Sequence, residues 1–392
     1  MSQTANGRLL DSLIRFGSMS RAEATLDTQL ARSAVGAAIA DLSRLNLVKT
    51  FPAVVAPGVA GRPSPRLELN PSGGYAIALN VRAEAIEIAT VDLSRNIKSY
   101  MERSVNVREL GAAEALSTIA ECIRSIEAPG KSPLCGIGIA LPGIVGRDNA
   151  IARNVLALDW HDVPVVSVLK QHIGSQVPIT IDHDATLGAL AEYSCGAGRG
   201  AGRLLYLTSE PNGLGAAMIS RGRSNGSTGD HMLQAGHLSV NPSGSRCACG
   251  SRGCLELFVS GRAIENAIGG VGSGTPGEVS AKLSTFTLKE RTHFLRSDCI
   301  NALKIGLVSL INTLAPDRVV LAGALAPIAA HFPSILTEAL AMSVVARTEP
   351  VTIVPAALNN AMLIGAAEQA LRGLKNDPIL VLEKSRRTGD KT

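Results

Sequence analysis

The chain has 392 residues, 46% of them hydrophobic and 18% charged, with a formal net charge of +5. That length predicts two or three units with sizeable cores. No run of about eighteen apolar residues occurs, and the amino terminus MSQTANGRLLDSL lacks a basic-then-apolar signal pattern, which argues against a membrane partner and for a cytoplasmic protein. Seven cysteines, an odd number, fit a reducing compartment better than a disulfide framework.

Residues 7 to 50 predict three short helices. Leu9, Leu10, Leu13, Ile14 and Phe16 recur at helical spacing and Gly17 ends the run; Ser20 then precedes RAEATLDT, with Glu23 placed for a capping box. In the third segment, ARSAVGAAIADLSRLNLV, Val35, Ile39 and Leu42 share one stripe. Ala31, Ser33, Ala34, Gly36, Ala37 and Ala38 keep the opposite face low, with Arg32 near its start, a shape that suits entry into a major groove. Leu47 to Phe51 and Arg66 to Leu69 are expected to pair as strands around VVAPGVAGRPSP, a loop carrying Arg62. Together these predict a winged helix-turn-helix over residues 1–70, with Arg32, Ser33, Gly36 and Arg62 facing double-stranded DNA. The segment carries eight Arg and Lys against five Asp and Glu. One such unit covers a half-site, so a homodimer or dimer of dimers and an approximately palindromic operator are expected; a helical subdomain used only for dimer packing is the alternative.

Further along, FLRSDCINALKIGLVSLINTLAPDRVVLAGALA reads as a long helix, a turn at Pro316 and a buried strand. VTIVPAALNNAMLIGAAEQAL gives a strand and a closing helix, with Gly365 allowing close packing, and residues 379–392 read as a polar tail. No internal repeat at a solenoid period is found. The densest chemistry lies in QAGHLSVNPSGSRCACGSRGCLE, residues 234 to 256, where Cys247, Cys249 and Cys254 follow His237. Three thiolates and an imidazole are a complete tetrahedral set for structural Zn2+, and Gly250 and Gly253 allow the tight turns that convergence requires. A cluster of unrelated thiols is the competing reading.

The same stretch, HLSV…CxCGxxGCLE, resembles the signature of the ROK family of repressors, open reading frames and sugar kinases, and GRPSPRLELNPSGGYAIALNV resembles the junction to the winged helix in its repressors. The resemblance implies an N-terminal winged helix-turn-helix followed by an α/β actin-like (ribonuclease-H-like) two-lobed sugar-kinase fold over residues 71–378. Where the family's kinases carry Asp-Ile-Gly-Gly-Thr against ATP phosphates, this chain places Asn80, Arg82, Ala83 and Glu84. The added side chains and the negative charge oppose phosphate binding. Two further phosphate-side turns resemble Pro211-Asn212-Gly213-Leu214-Gly215-Ala216-Ala217 and Ala322-Gly323-Ala324, both with fewer glycines than the family pattern. The sugar side resembles the family more closely: Asp184 stands at the general base, His183 and Thr186 replace asparagines, Gln234 replaces a glutamate, and Glu256 is kept.

On this basis Asn154, His183, Asp184, Gln234, His237 and Glu256 are the expected ligand-binding residues. Asp184 as a helix cap and Glu256 as a support for a zinc ligand remain alternatives. The expected function is a DNA-binding transcriptional regulator, a repressor, whose degenerate kinase domain senses a sugar or sugar derivative and has no catalytic residues. An ATP-dependent sugar kinase and a structural DNA-binding dimer without effector are the competing functions.

Overall fold

The computed structural model describes residues 3–52, 65–174, 177–220, 232–270 and 272–389. Helix α1 (Ala5–Phe16) starts where Thr4 Oγ1 accepts the Gly7 amide at 3.1 Å. Strand β1 (Ser18–Ser20) leads into α2 (Arg21–Thr28), whose capping box is complete: Ser20 Oγ accepts from the Glu23 amide, and the Glu23 carboxylate accepts from the Ser20 amide. Gln29, with a left-handed φ of 54°, turns the chain into α3 (Arg32–Arg44). Strands β2 (Val48–Phe51) and β3 (Arg66–Leu69) pair antiparallel and β1 joins the other edge of β3, the layout of a winged helix-turn-helix.

Two positions in this head differ from expectation. Phe16 is 55% exposed: it lies off the stripe of Leu9, Leu10 and Leu13 and takes the Arg15 guanidinium over its ring at 5.4 Å. Ala38 is buried with Val35 and Leu42, three residues along from Val35 and hence on the core side of α3. The loop carrying Arg62 lies outside the described residues.

Two lobes with one plan follow. The first runs β4 (Tyr75–Val81), β5 (Ala85–Asp92), β6 (Ile97–Ser104), α4 (Val107–Ser125), β7 (Leu134–Leu141), β8 (Ile144–Val145), β9 (Ala152–Val155), β10 (Trp160–Val163), α5 (Val165–Ile173), β11 (Ile179–His183) and α6 (Asp184–Cys195). The second runs β12 (Arg203–Glu210), β13 (Gly213–Ser220), β14 (Met232–Leu233), α7 (Glu256–Val259), α8 (Gly261–Ala267), α9 (Pro276–Ser284), α10 (Leu288–Leu295), α11 (Asp298–Leu314), β15 (Arg318–Gly323), α12 (Leu325–His331), α13 (Pro333–Met342) and β16 (Thr352–Pro355). Their sheets have the orders β11-β7-β4-β5-β6 and β16-β15-β12-β13-β14. In each, three antiparallel strands are extended by two parallel ones. This doubling, the mark of the expected actin-like architecture, lies in the pairing pattern and not in any repeated residues.

Helix α14 (Ala361–Ala370) returns to the first lobe. It lies close on β7 because Gly138 presents no side chain: a Cβ there would stand 2.0 Å from Ala366 O. Gly365 meets α6 with similar intimacy, a Cβ at that position falling 1.9 Å from Leu187 O. After α15 (Arg372–Asn376), helix α16 (Pro378–Gly389) corrects the expected polar tail. Leu382 is buried, with Ile379 and Val381 packed against the same core. That core also contains Leu9, Leu13 and Leu42 of the head and Ala76, Ala89 and Leu93 of the first sheet, so the head is built onto the first lobe. Among the described residues no single helix is long and apolar enough to cross a membrane.

Candidate ligand cleft and metal centre

The carboxyl ends of β4, β7 and β11 lie side by side, with His183 level with Leu141 and Asn80 level with Ala140. Ligand crevices of open α/β sheets form at such ends. Asp184 follows β11 directly as the first residue of α6, and its Oδ1 accepts from the Ala185 amide at 2.6 Å, so it sits in the first turn and is not the cap. His183 Nε2 stands 3.3 Å from Asp184 Oδ1 and its Nδ1 3.3 Å from Thr186 Oγ1. Burial pushes the His183 imidazole down to about 4 and the Asp184 carboxyl up to about 7, so the imidazole is neutral at pH 7 and the contact is no ion pair.

Strand β13 brings the second lobe's groups alongside. A Cβ at Gly215 would lie 3.7 Å from Asp184 Oδ1, and one at Gly213 would lie 3.8 Å from Glu256 Oε2. Two residues along a strand share a face about 6.8 Å apart, a span comparable to a sugar ring. Asn154, on β9, has its side-chain Oδ1 buried without a hydrogen-bond partner among the described residues. Gln234 is exposed at the entrance to the short turn Ala235–His237.

Glu210, at the end of β12, is a site residue that sequence reasoning missed. Burial first, and then Asp184, push its carboxyl up to about 7; Thr208 Oγ1 donates to it at 2.9 Å. A carboxylate immediately before the Pro211 turn was the available signal.

The end of β4 and the turn to β5 carry Asn80, Arg82 and Glu84, the residues expected to oppose phosphate. Asn80 Nδ2 donates to Glu87 Oε2 at 2.6 Å, and Arg82 Nη2 lies 3.3 Å from Glu87 and 3.2 Å from Glu102. Glu84 reaches across to Arg262 of α8 at 2.6 Å, joining the two lobes. Charged side chains paired with one another thus occupy the turn.

The donor atoms of His237, Cys247, Cys249 and Cys254 all lie within 4.8 Å of one another. Cys249 Sγ and Cys254 Sγ are 3.6 Å apart, and Cys247 Sγ and His237 Nδ1 are 3.7 Å apart. Zinc bonds of about 2.3 Å to sulfur and 2.0–2.1 Å to nitrogen give tetrahedral edges of about 3.5–3.8 Å, so the residues fit that ion. Gly250 and Gly253 adopt φ of 95° and 60°, and a Cβ on Gly253 would collide with Asn241 O at 1.7 Å. Glu256 Oε1 stands 3.3 Å from His237 Nδ1 and 3.0 Å from Cys247 Sγ, so this carboxylate lies against the metal centre.

Asp184 also yields a stability prediction. A carboxyl raised from 3.8 to about 7 binds its proton more tightly when folded, so its penalty is absent below pH 4, grows between pH 4 and 7, and is complete above. Asp184→Asn keeps the shape and removes the charge. It should raise the melting temperature at pH 8, by the equivalent of up to about 4 kcal/mol, and leave it unchanged at pH 4. Equal shifts at both pH values would show that the carboxylate is not strained by burial.

The two-lobed fold with an amino-terminal winged helix and a Cys₃His centre defines a class that comparison with known proteins identifies. The ROK family model matches residues 76–372, and the chain belongs to the ROK family. Over 324 residues it is 26% identical to the xylose repressor of Bacillus subtilis (strain 168), covering 80% of each chain. It is 29% identical over 267 residues to the DNA-binding transcriptional repressor Mlc of Escherichia coli (strain K12), covering 66% of this chain and 64% of that one. Glucokinases are similar too: that of Halalkalibacterium halodurans is 27% identical over 293 residues, covering 67% of this chain and 86% of the glucokinase. In structure, a ROK family transcriptional regulator described as a homologue of E. coli Mlc superposes with a TM-score of 0.74 at 20% identity, covering 97% of this chain and 98% of that one.

Proposed function

We propose that the protein is a DNA-binding transcriptional repressor whose lobes sense a sugar or sugar derivative without phosphorylating it. The observation that carries this is the turn between β4 and β5: Arg82 and Glu84 are engaged in ion pairs where the family's kinases leave room for phosphate, while a winged helix-turn-helix is joined to the same lobe. The repressor relatives support the reading.

Arg32 and Ser33 are exposed at the start of α3, and a Cβ on Gly36 would meet nothing within 4 Å, so this face is free to lie in a major groove. Arg62 is assigned to the wing. A homodimer or dimer of dimers would set two heads on an approximately palindromic operator. The effector would lie between Asp184, His183, Asn154 and Glu256, with Gln234 at the rim, and Zn2+ would hold the segment that carries His237. Zinc supplies a cross-link there and no reaction. An effector alters DNA binding only if it favours one arrangement of lobes and heads over another.

The test is selection of operator sequences from random DNA with the full chain, followed by D-xylose and D-glucose as probes of release. Arg32→Ala should weaken binding to the selected operator by about 1–3 kcal/mol, roughly 5- to 150-fold, if the lost contact is to a base. Unaltered affinity would move the reading surface off α3.

A further inference from the structure

We infer that Glu368 is a positioning residue that fixes the orientation of the DNA-reading head on the first lobe. Its carboxylate is buried on α14, deep between the cleft-bearing lobe and the winged helix. One oxygen pairs with Arg95 Nε in the turn between β5 and β6; the other accepts from Ser194 Oγ at 3.0 Å and faces Lys375 Nζ at 3.7 Å. Arg95 holds a left-handed φ of 68°, and its Nη1 donates to Ile14 O, in the last turn of α1, at 2.8 Å. A single carboxylate thus ties together α6, α14, α15, the sheet turn and, through Arg95, the head.

Other contacts determine what this joint controls. At its start, the head is pinned to α15: the Thr4 amide donates to Asn376 O at 3.0 Å and Gln3 Nε2 to Lys375 O at 2.8 Å. Gly7 is pressed against the same carbonyls, with a Cβ there only 2.3 Å from Lys375 O. Arg95 holds the other end of α1, so loosening it removes the polar tie there and leaves the shared apolar core and the chain at residues 70 to 75 to orient the head. Burial alone would raise the Glu368 carboxyl, yet Lys375 and Arg95 hold it below the ordinary range, so the joint is charged. Ser194 lies ten residues along α6 from Asp184, about 15 Å of helix, and Gly365 locks α6 onto α14. The helix that opens at the ligand cleft therefore ends on the group that holds the head.

This inference rests on the proposed DNA binding and is tested with the full chain and its selected operator. Glu368→Gln removes the charge; Arg95→Lys keeps a cation for Glu368 but removes the guanidinium arm that reaches Ile14. Both variants should bind a fragment carrying half of the operator within twofold of the parent, and the complete operator at least tenfold more weakly, because a loosened head still reads DNA but no longer holds two heads in register. Faster amide exchange in the last turn of α1, with unchanged exchange in α3, should accompany the loss. Arg95→Lys guards against a fold defect in Glu368→Gln, since its ion pair remains. Unchanged affinity for the complete operator in both variants, equal losses on half and complete operators, or a selected operator without paired halves would each overturn the inference. Failure to select any sequence would instead sink the DNA-binding reading beneath it.

Discussion

A Cys249→Ser protein should purify with well under one zinc per chain and melt about 4–6 °C below the parent. The sulfur removed is one of four donors, and the three that remain span only His237 to Cys254. Free zinc-finger peptides gain roughly 10–16 kcal/mol from their metal because nothing else folds them. Here the segment has other fastenings: Val240 N donates to Gly253 O at 2.9 Å, Cys247 N to Ser251 O at 2.9 Å and Leu255 N to Leu238 O at 2.8 Å. The expected loss is therefore a fraction of that figure, on the order of 3–5 kcal/mol. Chelation of the parent should reproduce it. Stoichiometric zinc and an unchanged melting temperature in Cys249→Ser would remove zinc from the account.

With ATP and D-glucose, D-xylose or N-acetylglucosamine, a coupled assay should detect no ADP release above background. Phosphoryl transfer is mostly positioning and charge neutralisation, and losing one oxyanion-type donor typically costs about 10²–10³ in rate. On the proposed reading, several such places are lost together. Arg82 is held by Glu87 and Glu102, Glu84 is committed to Arg262 of the opposite lobe, and Glu210 adds a half-buried carboxyl beside Asp184. A polyphosphate entering there would have to break the pairing between lobes and face three acids. Turnover that disappears in Asp184→Asn would reinstate the kinase reading.

Local signals were the legible ones. The Ser20–Glu23 capping box, the Val35–Ile39–Leu42 stripe and the CxCGxxGC spacing each act within about a dozen residues, and each forms as read. Features that depend on distant pairing stayed hidden. Gln3 bonds to a carbonyl 372 residues away, and Glu84 meets Arg262 178 residues on. The ILVL segment of α16 looked like part of a polar tail because the surface it covers belongs to the other end of the chain. Glu210 escaped notice because its acidity matters only beside Asp184, which reaches it through the folding of β13. The doubling of the two sheets is written in strand order, where residue periodicity cannot show it.

The core shared between Leu9, Leu13, Leu374 and Leu382 also orders events during synthesis. The first fifty residues leave the ribosome early; Ala76, Ala89 and Leu93 cover part of their inner surface soon after, but the rest waits until residues 374 to 382 emerge. At roughly 5–20 residues per second that interval is about 20–60 s, during which the nascent head has exposed apolar faces for chaperones to hold. A fragment released before residue 374 would carry its winged helix without that part of its cover and should melt below the full chain.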